Sequence, residues 1–350
     1  MLSSITLQSS TSRKSAPWAS IRQISAIDVD SRHSMHDTAA KAIESFVVGL
    51  ECDLRRFPVP EDPKLIDAAH NACLQHIPSE EHRRKAIPLL SVALLCATQV
   101  YPTLPFEVRL LITVYTAMFA YIDAYDDDDF IRNLDQFAMN FSRGAAQPDP
   151  CLKYLAHLVA VEVPKLWGPF ASSCIVKATM DMVAGAILEK RFPSGFEHLA
   201  QNFPAFLRRK SGDSEAYVLF NFPESLFPES EYLGLYIHSL PGAIEISDFT
   251  NDIMSHCKES IVGNEKNTYI VSEARRQNCS SAEVLDQTCQ STWAMHQHLH
   301  QKLAVADERV LQAYCSFVDG MAGYHIVDPR YRLGEMGLAI RDGILLMEPQ

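Results

Sequence analysis

The sequence predicts an all-α protein whose long helices surround a central apolar cavity. From Ser34 onward, apolar residues recur at helical spacing almost without interruption, as in helices that bury one face. No alternating run typical of a strand exceeds a few residues, and no linker rich in Pro, Gly or Ser divides the chain after its first residues. We therefore expect a disordered tail over residues 1–33 and a single helical domain over residues 34–350.

The helices can be placed by their apolar periodicity and by the prolines near their ends. The first helix keeps a 3.6-residue rhythm from Ala40 to Leu50 and ends near Phe57-Pro58. Prolines elsewhere lie near helix boundaries or first turns, where a missing N–H does least harm. Further helices are predicted over residues 63–76, 80–100, 107–125, 130–141, 151–163, 170–190, 197–210, 229–260, 282–304 and 307–327.

Composition argues against several classes of partner. A formal net charge of -12 argues against a nucleic-acid-binding surface. The apolar runs over residues 87–100 and 110–122 fall short of the roughly 18 residues that a membrane span needs. Nine scattered cysteines without a CxxC pair indicate the reduced thiols of an intracellular protein, which we expect to be cytoplasmic. The first 27 residues lack acidic residues, which is also typical of organelle transit peptides.

The downstream motif, NDIMSHCKE over residues 251–259, predicts a magnesium site. Asn251, Ser255 and Glu259 recur every fourth residue, so their oxygens follow one face of an α-helix. An amide carbonyl, a hydroxyl and a carboxylate are hard oxygen ligands suited to Mg²⁺. The alternative is an ordinary hydrated helix face, which the nine residues alone do not exclude.

The upstream motif, DAYDDDD over residues 123–129, offers a second acidic site. It closes an apolar helix, so Asp123 emerges at the end of a buried stripe, and Asp127 is expected one turn later on the same face. Crowded carboxylates repel one another unless a cation neutralises them. The alternative is a solvated acidic helix end.

Two basic strings complete the pattern, FLRRK at 206–210 and DPRYRL at 328–333. An arginine presents a planar fork suited to phosphate, and a neighbouring tyrosine hydroxyl adds a neutral donor. Either string alone is typical of an ordinary surface.

Together these strings resemble the trichodiene synthase family of class I terpene cyclases, over roughly residues 90–335. The resemblance implies a helical bundle around an apolar active site, with Asp123 binding one Mg²⁺ and Asn251, Ser255 and Glu259 another. It implies the family's usual three ions in all. It also implies diphosphate donors, which would be Arg208, Lys258, Arg330 and Tyr331. Ala124 departs from the usual Asp-Asp start, and Asp126 or Asp127 is the expected replacement.

The resemblance further implies a sesquiterpene synthase that ionises farnesyl diphosphate and cyclises the resulting carbocation. Water must be excluded from such a cation, so we expect an apolar cavity lined by Thr116, Phe119 and Tyr324. Residues 263–267 are expected to close the site, and a homodimer is a family expectation. The alternatives are a chain-elongating prenyltransferase and a non-catalytic relative that binds diphosphate.

Overall fold

The computed structural model describes residues 29–197, 199–263 and 265–347, and nearly all regular structure in these ranges is helical, which confirms the all-α prediction. Of the expected tail, residues 1–28 lie outside the described residues, and residues 29–33 belong to the first helix. The helices are α1 Val29–Gly49, α2 Pro63–His76, α3 Glu80–Ala86, α4 Leu90–Val100, α5 Phe106–Ala124, α6 Asp128–Ser142, α7 Pro150–His157, α8 Val163–Leu166, α9 Pro169–Arg191, α10 Phe203–Ser211, α11 Ser214–Leu219, α12 Glu229–Tyr236, α13 Leu240–His256, α14 Tyr269–Gln277, α15 Ser281–Ala306 and α16 Glu308–Val327.

Two predicted helices are each divided by a short 3-10 turn. The turn Ile87–Leu89 separates α3 from α4, and the turn Ile237–Ser239 separates α12 from α13. Pro88 lies within the first turn, and Pro241 lies two residues after the second. A proline has no backbone N–H to donate, and its ring displaces the preceding helical turn. The apolar stripe continues across both turns, so periodicity alone does not detect them.

A two-stranded hairpin near the C-terminus is absent from the sequence prediction. Strands β1 Leu338–Arg341 and β2 Ile344–Met347 pair antiparallel. Asp342 and Gly343 between them have φ of 51° and 81°, the left-handed pair that a two-residue hairpin turn requires. Strands of four residues are too short for apolar alternation to stand out from the helical pattern around them.

Buried aromatic residues hold the short helix α11 in place. The Tyr101 hydroxyl donates to the carbonyl oxygen of Tyr217 at 2.7 Å, and the Trp167 indole donates to that of Leu219 at 3.1 Å. Helix α11 in turn packs against α13 and α9. This framework places the break between α10 and α11 beside α13.

Helix α9 is the one helix in the described ranges that is long and apolar enough to cross a membrane by length and composition. It packs against α6, α10 and α11. At Gly185 an added Cβ would come within 2.7 Å of the Lys210 backbone, so α9 and α10 are in backbone contact. These contacts make α9 an inner helix of the bundle.

Candidate active site

The upstream motif lies at the junction of two helices. Helix α5 ends at Ala124, because Tyr125 is extended with φ -119° and ψ 134°. Asp123 is exposed in the last turn of α5, and its main-chain oxygen accepts a hydrogen bond from Lys190 Nζ at 3.3 Å. Asp127 lies beyond the break, so the continuous helical face expected for Asp123 and Asp127 is wrong.

Asp127 is the N-cap of α6. Its Oδ1 accepts a hydrogen bond from the Phe130 N–H at 2.9 Å, and its Oδ2 lies 3.9 Å from Lys85 Nζ. The side chain also lines a polar cavity of about 410 Å³ together with Lys85, Tyr121 and Asp149. These contacts assign Asp127 a capping role, and its role as a metal ligand stays a prediction.

The downstream motif begins on α13 and ends on a π-helical turn, Cys257–Val262, where a regular α-helix was expected. The oxygens nevertheless stay adjacent. Ser255 is fully buried, and its hydroxyl donates to Glu259 Oε2 at 2.9 Å, while Lys258 Nζ lies 3.2 Å from Glu259 Oε1. Such wide turns are often found at functional sites.

Asn251 is held at both ends of its amide group. Its Nδ2 donates to Nε2 of His325 at 3.1 Å, and its Oδ1 accepts a hydrogen bond from Arg208 Nη2 at 3.2 Å. His325 is fully buried, and burial lowers its pKa to about 3, with Arg330 and Lys258 adding to the effect of burial, so the ring is neutral. The sequence patterns did not identify His325.

Arg208 is anchored to α13 by two carboxylates. Its Nε donates to Asp252 Oδ2 at 2.7 Å, and its Nη1 lies 3.4 Å from Asp248 Oδ1. Burial by itself would lower the arginine pKa, but the charges of Asp252 and Asp248 outweigh it and raise that pKa above its usual range. Gly212 leaves room for this pair, since a Cβ there would collide with both Arg208 and Asp248.

The two motifs lie within electrostatic range of each other across a pair of glutamates. The pKa of Glu189 is raised to about 7, mainly by burial and then by the charge of the Asp123 carboxylate. The charge of Glu259 raises the same pKa further. Burial and the Glu259 carboxylate raise the pKa of Glu265 to about 8, and Asp123 adds to this as well. Asp123 and Glu259 therefore act on the same two side chains from distant parts of the chain.

Sequence reasoning missed Glu189 as a site residue and placed Glu265 only in the segment expected to close the site. Neither glutamate belongs to a recognisable sequence pattern. Each is a single residue on a segment that only the tertiary packing brings close to the motifs. Within that segment, residues 263 and 265–267 are described and Asn264 lies outside the described residues.

The predicted diphosphate donors converge beside the downstream motif. Lys258 Nζ lies 5.4 Å from the centre of the Tyr331 ring, and Arg330 Cζ lies 5.4 Å from the same ring. Arg330 is held by Asp328 Oδ2 at 2.8 Å and donates to the Tyr324 hydroxyl at 2.7 Å. Lys258, Arg330 and Arg208 are therefore three cationic groups that lie close to carboxylates. Without these cations, the carboxylates would repel a diphosphate.

The predicted lining residues lie in two sets of mostly aromatic contacts. The Tyr217 hydroxyl donates to Thr116 Oγ1 at 3.1 Å, and the Tyr217 ring lies 6.3 Å edge-on from Phe119. Tyr324 and Tyr331 pack edge-on at 5.7 Å. Tyr217 was missed because the short helix α11, from which it projects, follows a break that periodicity does not reveal.

The donor set fits a hard divalent cation. Asn251, Ser255 and Glu259 offer carbonyl, hydroxyl and carboxylate oxygens on neighbouring turns, and Ser255 already touches Glu259. Over the described residues, no three His, Cys, Asp or Glu side chains are grouped closely enough to hold a metal ion by themselves. Two of the three proposed ligands are Asn and Ser, so this motif does not depend on such a group.

Solved structures share the architecture of this chain. A linalool/nerolidol synthase from Streptomyces clavuligerus in complex with 2-fluorogeranyl diphosphate aligns with a TM-score of 0.55 and 14% identity, over 77% of this chain and 98% of that one. At this identity the likeness concerns the fold alone, which is that of the class I terpene synthases.

The sequence places the chain within that class more narrowly. The trichodiene synthase family model matches residues 79–340, and the chain belongs to this family. An (E)-beta farnesene synthase from Metarhizium brunneum is 27% identical over 263 residues, which cover 73% of this chain and 77% of the relative. The terpene synthase BipA from Cochliobolus sativus is 29% identical over 246 residues, covering 69% and 74% respectively.

Proposed function

We propose that the protein is a Mg²⁺-dependent sesquiterpene synthase that ionises farnesyl diphosphate and cyclises the carbocation to a hydrocarbon or alcohol. The observation that carries the proposal is that the cationic groups of Arg208 and Lys258 contact the side chains of Asn251 and Glu259. In support, the charges of Asp123 and Glu259 both raise the pKa values of Glu189 and Glu265. A site with both signs of charge can take up metal ions and an anionic diphosphate together. Names of relatives such as the (E)-beta farnesene synthase support a fifteen-carbon substrate.

Asn251, Ser255 and Glu259 would hold one Mg²⁺ and Asp123 another, and the usual number of three ions is a proposal from the family. When bound, Mg²⁺ neutralises charge that develops on the departing diphosphate. Arg208, Lys258, Arg330 and Tyr331 donate hydrogen bonds to the same oxygens, which selectively lowers the barrier as negative charge grows there. Asp127 as an additional ligand stays a prediction.

Aromatic side chains from both sets of contacts guide the carbocation after ionisation. Phe119, Tyr217 and Tyr324 supply ring faces, each of which can stabilise a nearby cation by about 0.5–2 kcal/mol. Cys96 lies beside Thr116, and burial raises its thiol pKa to about 12, so it stays neutral and does not trap the cation as a thiolate. The shape of this lining is what we expect to decide the product.

The test is incubation of the full chain with Mg²⁺ and with ten-, fifteen- and twenty-carbon allylic diphosphates. Gas chromatography with mass spectrometry is expected to detect a cyclic fifteen-carbon product, together with release of diphosphate. Longer diphosphates would support a chain-elongating transferase instead, and no diphosphate release from any substrate would support a non-catalytic relative. The Asn251→Ala variant is the inactive control.

Location and assembly belong to the same proposal. We expect a cytoplasmic enzyme that binds a small allylic diphosphate and neither nucleic acid nor membrane, and the possible homodimer stays a prediction. Gel filtration of the full chain with light scattering measures its oligomeric state directly.

A further inference from the structure

The amide of Asn251 has to face in one direction for its oxygen to serve as a metal ligand. A side-chain amide can rotate by 180° with almost no change in shape, so its neighbours decide which end points where. In this structure the neighbours are His325 on one side and Arg208 on the other. Both are buried or largely buried, so a mismatched contact has no water to relieve it.

The protonation of the His325 ring follows from its contact with the main chain. Nδ1 lies 2.7 Å from the carbonyl oxygen of Met321, and a carbonyl oxygen can only accept, so Nδ1 carries the hydrogen. In a neutral imidazole the other nitrogen is then an acceptor. Nε2 therefore presents a lone pair to Asn251, and only the amide NH₂ can satisfy it.

The contact with Arg208 independently selects the same orientation. Arginine has donors only, so its Nη2 requires the carbonyl oxygen of Asn251. A flipped amide would set two acceptors against each other at His325 and two donors against each other at Arg208. Each buried mismatch is unfavourable, and both contacts would be lost at once.

We propose that His325 is a positioning residue that holds the carbonyl oxygen of Asn251 toward the metal site by accepting a hydrogen bond from its amide nitrogen. The inference rests on the proposed function, in which Asn251 is a Mg²⁺ ligand. Arg208 holds the same oxygen in the free protein and is itself a proposed diphosphate donor, so an arriving cation and diphosphate compete for this contact, whereas His325 holds the opposite end of the amide. His325 can therefore maintain the orientation when metal and diphosphate arrive.

His325 also packs against a predicted diphosphate donor, which gives a rival explanation for its presence. Its ring lies 4.3 Å from that of Tyr331 and 5.1 Å from that of Tyr324. A purely packing role needs the ring but no acceptor. The two roles are separated by His325→Phe, which keeps a ring and removes the acceptor, and His325→Gln, which removes the ring and keeps an acceptor near the position of Nε2.

The experiment measures Mn²⁺ binding to the full chain in the presence of inorganic diphosphate, from the electron paramagnetic resonance signal of free Mn²⁺. We expect His325→Phe to weaken binding by about 10- to 100-fold, the usual loss for a partner that orients a metal ligand, and His325→Gln to restore most of it. His296→Phe is the matched control, since His296 is a buried histidine bonded to Tyr314 in a different contact. Thermal unfolding confirms that each variant is folded.

Unchanged binding in His325→Phe overturns the proposal, and so does equal loss in both His325 variants, which would assign the residue to packing. Failure of the proposed function looks different, because the wild-type protein would then bind no Mn²⁺ with diphosphate, or Asn251→Ala would bind it as well as wild type.

A second measurement on the wild-type protein does not depend on any variant being stable. Nitrogen-15 NMR of labelled histidine distinguishes the two neutral tautomers, and the His325 signals are assigned by their absence from His325→Gln or His325→Phe, whichever is folded. We expect the hydrogen on Nδ1. A hydrogen on Nε2 would contradict the proposal, because that nitrogen would then donate to Asn251.

Discussion

The two motifs of the site differ in how firmly the protein holds them before any ligand binds. In the downstream motif Ser255 is fully buried, and Asn251 is bonded to both His325 and Arg208. In the upstream motif Asp123 is exposed, and its main-chain oxygen, not its carboxylate, accepts the hydrogen bond from Lys190. One half of the site is therefore built during folding, while the carboxylate of the other half remains available to incoming cations.

Position in the helices explains this contrast. The downstream motif starts within α13, which packs against α11, α15 and α16, so neighbouring helices surround its side chains. The upstream motif occupies a helix end and the junction that follows, where backbone groups are satisfied by caps such as Asp127. Because the downstream motif is held in place before any ligand binds, we expect mutations there to lower the stability of the fold as well as the activity.

The largest expected effect is on the downstream side, at Arg208. Arg208→Met leaves Asp248 and Asp252 buried without their cation, and we expect the free energy of unfolding to fall by about 3–5 kcal/mol. The exposed neighbour provides the control, since Arg209→Met is expected to change it by less than about 0.5 kcal/mol. Urea unfolding followed by circular dichroism measures both. Equal losses would show that the Arg208 cluster adds nothing to stability.

The comparison is tested most directly by Asn251→Ala and Asp123→Ala. Both are expected to lower kcat/KM by more than about 100-fold, because each removes a proposed ligand. Only Asn251→Ala is expected to destabilise the fold, by about 1–3 kcal/mol, since it strips buried partners from His325 and Arg208. Steady-state kinetics and thermal unfolding report the two effects separately. A similar destabilisation in Asp123→Ala would refute the proposed difference between the motifs.

We expect one buried carboxylate near the downstream motif, that of Asp213, to make the stability of the protein depend on pH. Burial raises the pKa of Asp213 to about 8 even though the Tyr115 hydroxyl donates to its Oδ2 at 2.7 Å. A raised folded-state pKa means that its stabilising contribution is complete below the unfolded pKa of about 4 and is lost as pH rises through about 8.

Asp213→Asn removes this titration while keeping an oxygen for Tyr115, and asparagine tolerates the left-handed backbone at φ 52°. Between pH 5 and 7, roughly the window between the two pKa values, we expect the stability of wild type relative to the variant to fall by up to about 1.4 kcal/mol per pH unit. Chemical unfolding across this window is the measurement. Parallel curves for the two proteins would exclude Asp213 as the titrating group.

The smallest expected effect is on the upstream side. Asp127→Ala removes the cap of α6 and is expected to cost about 1 kcal/mol of stability, whereas Asp127→Asn retains a capping oxygen and is expected to cost much less. Thermal unfolding measures these losses, and kinetics of Asp127→Asn tests the metal role. A large drop in kcat/KM for that stable variant would make Asp127 a ligand as well as a cap.

Sequence alone determined the features that depend on local spacing. Apolar periodicity predicted the all-α class, and the spacing of Asn251, Ser255 and Glu259 survived the change from α13 to a π-helical turn, because neighbouring turns of either kind keep these side chains adjacent. Family resemblance added Arg208, which the structure places against Asn251.

The tertiary structure decided everything that depends on which distant segments meet. Glu189, Tyr217 and His325 belong to three different helices and have no pattern of their own, so only packing brings them to the site. The end of α5 at Ala124 separated Asp127 from Asp123, although their spacing fits one helical face equally well. Spacing describes neighbours along one helix, whereas contacts between helices arise from burial of their apolar faces, and many packings satisfy the same local pattern.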